Sequence, residues 1–140
     1  MRLVIADEDE ILVNAVGDLG RLAVGRGQGA EFAARKMRKN VLELDLEVSM
    51  TPAAATRRAE EVLADQGALI RTEPGGQDAP VAVVGLVTAG FGNLNPAVVT
   101  VTIRPSEYGS RLVVRGAAKE SLIKQRAGEA AAKRIAAALA

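Results

Sequence analysis

The sequence predicts an α+β domain: an antiparallel sheet of about five strands with one short helix and a long C-terminal helix packed on it, preceded by a helical N-terminal segment. Three observations carry this. Leu42, Leu44, Leu46 and Val48 alternate with Glu43, Asp45 and Glu47, the period of a strand with one buried and one wet face. Four further strand-like runs (68–73, 81–88, 97–104 and 111–115) follow a single helix with no helical stretch between them. Successive strands joined by short turns pair antiparallel. The tail then changes period, with Ile123, Ala127, Ala131, Ile135 and Leu139 along one line of a helix.

The elements follow in order. Residues 8–24 read as an amphipathic helix, with Leu12, Val16, Leu19 and Ala23 on one face and Asp7 or Asp9 as its cap. Gly17 and Gly20 weaken it by up to about 1 kcal/mol each relative to alanine. Gly25, Gly27 and Gly29 break the chain, and a short helix is expected over 30–38, basic at its end. A strand spans 41–48. Thr51-Pro52 then opens a helix as N-cap and first-turn proline, with Ala55, Ala59, Val62 and Leu63 inward and Gly67 as its stop. Turns at Pro74-Gly75-Gly76, Gly90–Asn93 and Ser106–Gly109 separate the later strands. In the run 97–104, Val99, Val101 and Ile103 alternate with Thr100, Thr102 and Arg104. The last helix is expected from about 118 to 139. Two domains are drawn: the segment 1–40, and the β-α-β4-α unit 41–140.

Composition narrows the chemistry. The chain of 140 residues has no cysteine and no histidine, which removes thiol and imidazole catalysis and the usual zinc, haem and iron–sulfur sites. Aromatics are only Phe32, Phe91 and Tyr108, too few for base-stacking platforms. A net charge of +1 favours no polyanionic partner. The apolar start is cut off by Asp7–Glu10, too short for a secretory signal, and no apolar run approaches the ~20 residues of a membrane span. A cytoplasmic location is expected.

The order strand, helix, four strands, long helix over about 41–140 resembles the helix-grip superfamily (START-like and plant-allergen-like proteins) and the TATA-binding-protein-like fold. The resemblance rests on element order and carries fold, not function. The opening MRLVIADEDEIL is similar to the acidic pocket of a response-regulator receiver domain, which would make Asp45 the phosphoacceptor. A receiver, however, alternates strands with helices and needs a late lysine, whereas no lysine lies between Lys39 and Lys119. Asp45 is therefore expected to be a solvated strand residue.

Two further motifs have plainer readings. Gly25–Ala30 spells G-x-G-x-x-A, the pyrophosphate-binding turn of dinucleotide folds, but no βαβ unit surrounds it and a linker explains it better. Arg35, Lys36, Arg38 and Lys39, with the lysines of the last helix, could meet phosphates. Acids stand nearby, and a solvated face is the commoner outcome. Glu107, Tyr108, Lys119 and Glu120 form no catalytic constellation, and no catalytic residue, metal ligand or cofactor is assigned.

The functional expectation is a small binding module holding an apolar small molecule between the sheet and the last helix. Phe91, Asn93, Leu94 and Asn95 would form the mouth, and Ile123, Ala127 and Ala131 the wall. The alternative is a protein–protein interaction domain with a solid core and an apolar patch on the 8–24 helix. Nucleic-acid binding through basic helix faces is an outsider. A homodimer stays open as a partner.

Overall fold

A computed structural model describes residues 8–15, 38–76, 79–89, 95–120 and 126–140. Among them, helix α1 (residues 8–15) is followed by β1 (Arg38–Val48), α2 (Pro52–Gln66), β2 (Gly67–Glu73), β3 (Val81–Ala89), β4 (Asn95–Ser106), β5 (Gly109–Glu120) and α3 (Ala127–Leu139). The strands form one antiparallel sheet in the order β1-β5-β4-β3-β2. The chain therefore leaves one edge, crosses through α2 to the other, and meanders back strand by strand until β5 pairs with β1.

Two helices cover one face. α2 begins where Thr51, in extended conformation, accepts a hydrogen bond from the Ala54 amide at 3.2 Å, with Pro52 in its first turn. Its buried residues are Ala55, Ala59, Val62 and Leu63, the inward set that the spacing predicts. Replacing Thr51 by alanine leaves that amide without its acceptor. It should cost about 1 kcal/mol, read as a midpoint shift in urea with an unchanged slope.

α3 packs alongside through Ala127, Ala131, Ala132, Ile135 and Leu139, against Val99, Val101, Leu112 and Val114 of the central strands. Arg134 ties its far end down, donating to the Gln66 side chain at 2.7 Å and to the Thr88 carbonyl at 2.9 Å.

The opposite face is covered too. Leu12 of α1 is buried against Ala82, Val84, Val98 and Ala117, with Ile11 and Leu86 at the margin. β4 is consequently buried on both sides from Pro96 to Ile103. Thr100 and Thr102 lie inside the protein rather than on a wet face, because a helix lies over a sheet face that the alternation alone marks as solvated.

Three boundaries differ from the sequence expectation. β1 starts at Arg38, where a basic helix end is expected, because its pairing with β5 extends to Arg38↔Glu120. β5 runs to Glu120 rather than ending at 115, for the same reason. α3 accordingly begins at Ala127 instead of near 118, so Lys119 belongs to a strand and not to a helix cap.

The small residues at the end of β5 serve a close approach. A Cβ on Gly116 would fall on the Gly128 carbonyl oxygen and 2.8 Å from the Ala132 nitrogen. One on Gly128 would fall on the Asn40 carbonyl oxygen. The α3 backbone thus rests directly on β5 and β1. Asn40 completes the seam, its side chain accepting from the Glu129 amide at 2.8 Å. That bond caps a helix whose own N-cap residue, Arg126, supplies no side-chain acceptor.

Candidate functional site

The residues of the expected ligand mouth and wall divide into two groups. Phe91, Asn93, Leu94 and Ile123 lie outside the described residues. Asn95 is the first residue of β4, paired with Ala89, and Ala127 and Ala131 are fully buried in the main core. At this end of α3 the space between helix and sheet is filled by the Gly116–Gly128 backbone contact. On the outer side of α3, Arg126, Glu129, Ala130 and Lys133 line a shallow depression of about 200 Å³. There Lys133 donates to Glu129 at 2.8 Å, and that hydrogen bond and its charge hold the Glu129 carboxyl below its ordinary value.

Charged side chains concentrate instead under α1. The antiparallel register of β1 and β5 sets Lys39 directly opposite Lys119, and Glu43 opposite Arg115. All four share the face that α1 covers. Two lysines opposed across a strand pair repel one another. Asp9 resolves this by placing Oδ1 3.0 Å from Lys39 Nζ and 3.4 Å from Lys119 Nζ.

Glu8, fully buried, takes the centre of the cluster. It accepts from Arg115 Nε at 3.1 Å and Nη2 at 3.3 Å, a two-point fork, and from Lys39 Nζ at 3.2 Å. The third guanidinium contact runs from Nη1 to Glu43 at 3.0 Å. Such forks are the stronger form of ion pair, and they require the planar geometry of arginine.

The titration properties follow from these contacts. Burial pushes the Asp9 carboxyl up, but the close ammonium contacts and charges of Lys39 and Lys119 outweigh it and hold the group below its ordinary 3.8. Burial likewise works against charge on Lys39, yet its bonds to Asp9 and Glu8 raise it above its ordinary 10.5. Arg115 is raised in the same way by Glu8 and Glu43.

The signs give a pH window for the docking of α1. A depressed carboxyl contributes stability that is present above its unfolded value and lost as pH falls through the folded one. Asp9 therefore holds α1 until the pH drops below 3.8. A raised ammonium contributes below its unfolded value and loses its effect as pH rises through the folded one, so Lys39 lets go only above 10.5. The protection factors of the amides of residues 8–15, with the intrinsic pH dependence of exchange divided out, should be flat between these limits and fall below the lower one. A loss of protection at neutral pH would contradict the assignment. The groups facing one another here are Glu8 and Asp9 of α1, Lys39 and Glu43 of β1, and Arg115 and Lys119 of β5.

Two buried oxygens here lack an aligned hydrogen bond: Asp9 Oδ1, which meets its lysines as ion pairs, and the Thr100 hydroxyl. Thr100 pairs in register with Arg115, and its hydroxyl oxygen is buried without a hydrogen-bond partner. Farther along the sheet, Arg111 forks onto Asp45 at 2.9 and 3.0 Å, half-exposed on both sides. Asp45 is thus an ion-paired surface residue of β1 and not part of an acidic pocket. Tyr108 is exposed in the β4–β5 turn, and the exposed apolar residues Leu69 and Ile70 lie on the edge strand β2.

The sequence reasoning missed the cluster under α1. Its one available signal was the spacing of Arg111, Arg115 and Lys119 on β5, which keeps all three on one face, the two arginines opposite Glu47 and Glu43 of β1.

Fold and site together define an α+β protein with a five-stranded antiparallel sheet, covered on one face by two helices and on the other by an N-terminal helix clamped through buried charges. No protein-family profile matches the chain, and no curated protein is significantly similar to it. Among solved structures it is similar to an uncharacterized protein from Rhizobium leguminosarum, at 10% identity and a TM-score of 0.43, over 74% of this chain and 93% of that one. No described helix is long and apolar enough to cross a membrane.

Proposed function

We propose that the protein is a non-catalytic binding module that acts through its surface, as an interaction domain, rather than through an internal ligand cavity. The observation that carries this reading is the closed seam at Gly116 and Gly128, where backbone meets backbone at the wall expected for an apolar ligand. The helix-grip or TATA-binding-protein-like reading of the fold is supported by the β-α-β4-α order and by the pairing of β1 with β5. Phosphate contact is disfavoured at Lys39, which carboxylates of α1 already occupy.

Native mass spectrometry of freshly purified protein tests the proposal. The expected result is the bare chain mass, as monomer or homodimer. A small molecule carried through purification and lost on activation would overturn it in favour of the apolar-ligand alternative.

A further inference from the structure

We propose that the outer edge of β1 is an acceptor for strand addition, taking an extended segment of a partner protein in which lysines or arginines alternate with aliphatic residues. This deepens, and rests on, the reading of a surface-acting module.

The two edges of the sheet are built differently. β2 is seven residues long, and its register shifts between Leu69 and Arg71. Short length and a bulge are common means of blunting an edge. β1 has neither. Its 11 residues carry no proline and pair one for one with β5 from Arg38 to Val48. Among the described residues β5 is its one strand neighbour, so the outer side of its ladder offers main-chain donors and acceptors to a further strand.

The side chains along that edge form two unlike rows. Leu42, Leu44, Leu46 and Val48 pack on the main core but stay partly exposed. On the other face Glu43, Asp45 and Glu47 stand at every second position, all exposed. The cations that β5 sets beside them fall one short. Arg115 takes Glu43 at 3.0 Å, and Arg111 forks onto Asp45 rather than onto Glu47, its partner in register. Glu47 is left with a hydroxyl, accepting from Ser106 at 3.3 Å. The row therefore ends on an exposed carboxylate with no cation paired to it among the described residues.

Charge selects the occupant. In every antiparallel pairing of β1 with a second copy about a two-fold axis centred from Glu43 to Glu47, acid stands opposite acid, which is destabilising. A strand with cations at alternate positions meets Glu43, Asp45 and Glu47 instead. Its intervening aliphatic side chains extend the apolar row beside Leu42, Leu44 and Leu46. Main-chain hydrogen bonds then hold the added strand, and the alternation of its side chains fixes the register.

The test uses the full chain and a fluorescent peptide of alternating lysine and valine, about ten residues long to match β1. On saturation, amides at alternate positions between Val41 and Val48 should gain protection by about ten-fold or more, while those of β2 stay unchanged. A peptide of alternating glutamate and valine, and one with its lysines and valines in two separate blocks, should each bind more weakly by about ten-fold or more. Glu47→Lys lies outside the cluster under α1 and should weaken the alternating lysine peptide by about five-fold or more. Unchanged β1 protection, equal binding of the block peptide, or equal binding to Glu47→Lys overturns the proposal. So does β1 protection that rises with protein concentration in the absence of peptide, which would assign the edge to a second copy. Should Glu47→Lys fail to fold, the exchange pattern of the wild-type chain with the three peptides decides. A bare native mass with no peptide binding refutes the edge acceptor alone, whereas a carried small molecule refutes the module reading beneath it.

Discussion

Alanine at Gly128 is expected to destabilise the domain by about 3 kcal/mol, although in an open helix the same change stabilises by up to about 1 kcal/mol. The sign reverses because the added methyl has no space. It would fall on the Asn40 carbonyl oxygen, and 2.9 Å from that of Gly116. Those are backbone atoms of paired strands, which cannot swing aside as a side-chain tip can. α3 must lift, separating Ala131, Ala132 and Ile135 from the sheet and stretching the Asn40 cap. Gly116→Ala should behave alike, since it meets the same seam from the other side. Gly76→Ala is the control, with nothing within 4 Å of its new methyl. It should be neutral or slightly stabilising through the unfolded state. Chemical denaturation of the three variants checks the order, and a Gly128→Ala protein as stable as wild type would show that the seam is looser than described.

Arg115→Met is expected to undock α1 without unfolding the sheet. The methionine keeps an aliphatic stem but removes the fork that holds Glu8, leaving a fully buried carboxylate with Lys39 as its remaining cation. Breaking a buried pair from one side costs about 3–5 kcal/mol. Burial of Leu12 and Val13 returns roughly 1.5–3 kcal/mol each at most, against the entropy of ordering the helix. Glu8 therefore escapes to water by carrying α1 away. Exchange of residues 8–15 should rise by two orders of magnitude or more while β3–β5 protection holds. Pairing the change with Glu8→Leu should restore protection, because an apolar pair of similar size needs no countercharge. If the single variant keeps α1 protected, Arg115 is not its anchor.

Much of this fold is legible in the sequence, and the reasons differ by element. α2 is readable to the residue because Thr51, Pro52 and Gly67 are local signals and its inward face follows from spacing alone. The succession of strands along the chain follows from period and turn chemistry, whereas the place of β1 beside β5 does not. The β5–α3 boundary is not readable. Gly116, Ala117 and Ala118 suit a helix as well as a strand, and their role depends on pairing with β1 and on the α3 backbone lying against them. The charged cluster under α1 is hidden for another reason. Glu8, Lys39 and Arg115 are remote in sequence, and only the β1–β5 register brings them together. The burial of Thr100 and Thr102 is not legible from their alternation with valines, because polarity reports what a residue tolerates, not what covers it.

Lys39 and Asn40 are consecutive on β1 and therefore face opposite ways. The first holds α1 through Glu8 and Asp9, and the second holds the start of α3 through the Glu129 amide. α1 can leave by itself, but the beginning of β1 cannot fray by itself. Fraying withdraws an anchor from both outer layers at once, which makes them parts of a single opening unit. An edge strand, usually the most expendable member of a sheet, is here the joint through which the two sides of the protein share one fate.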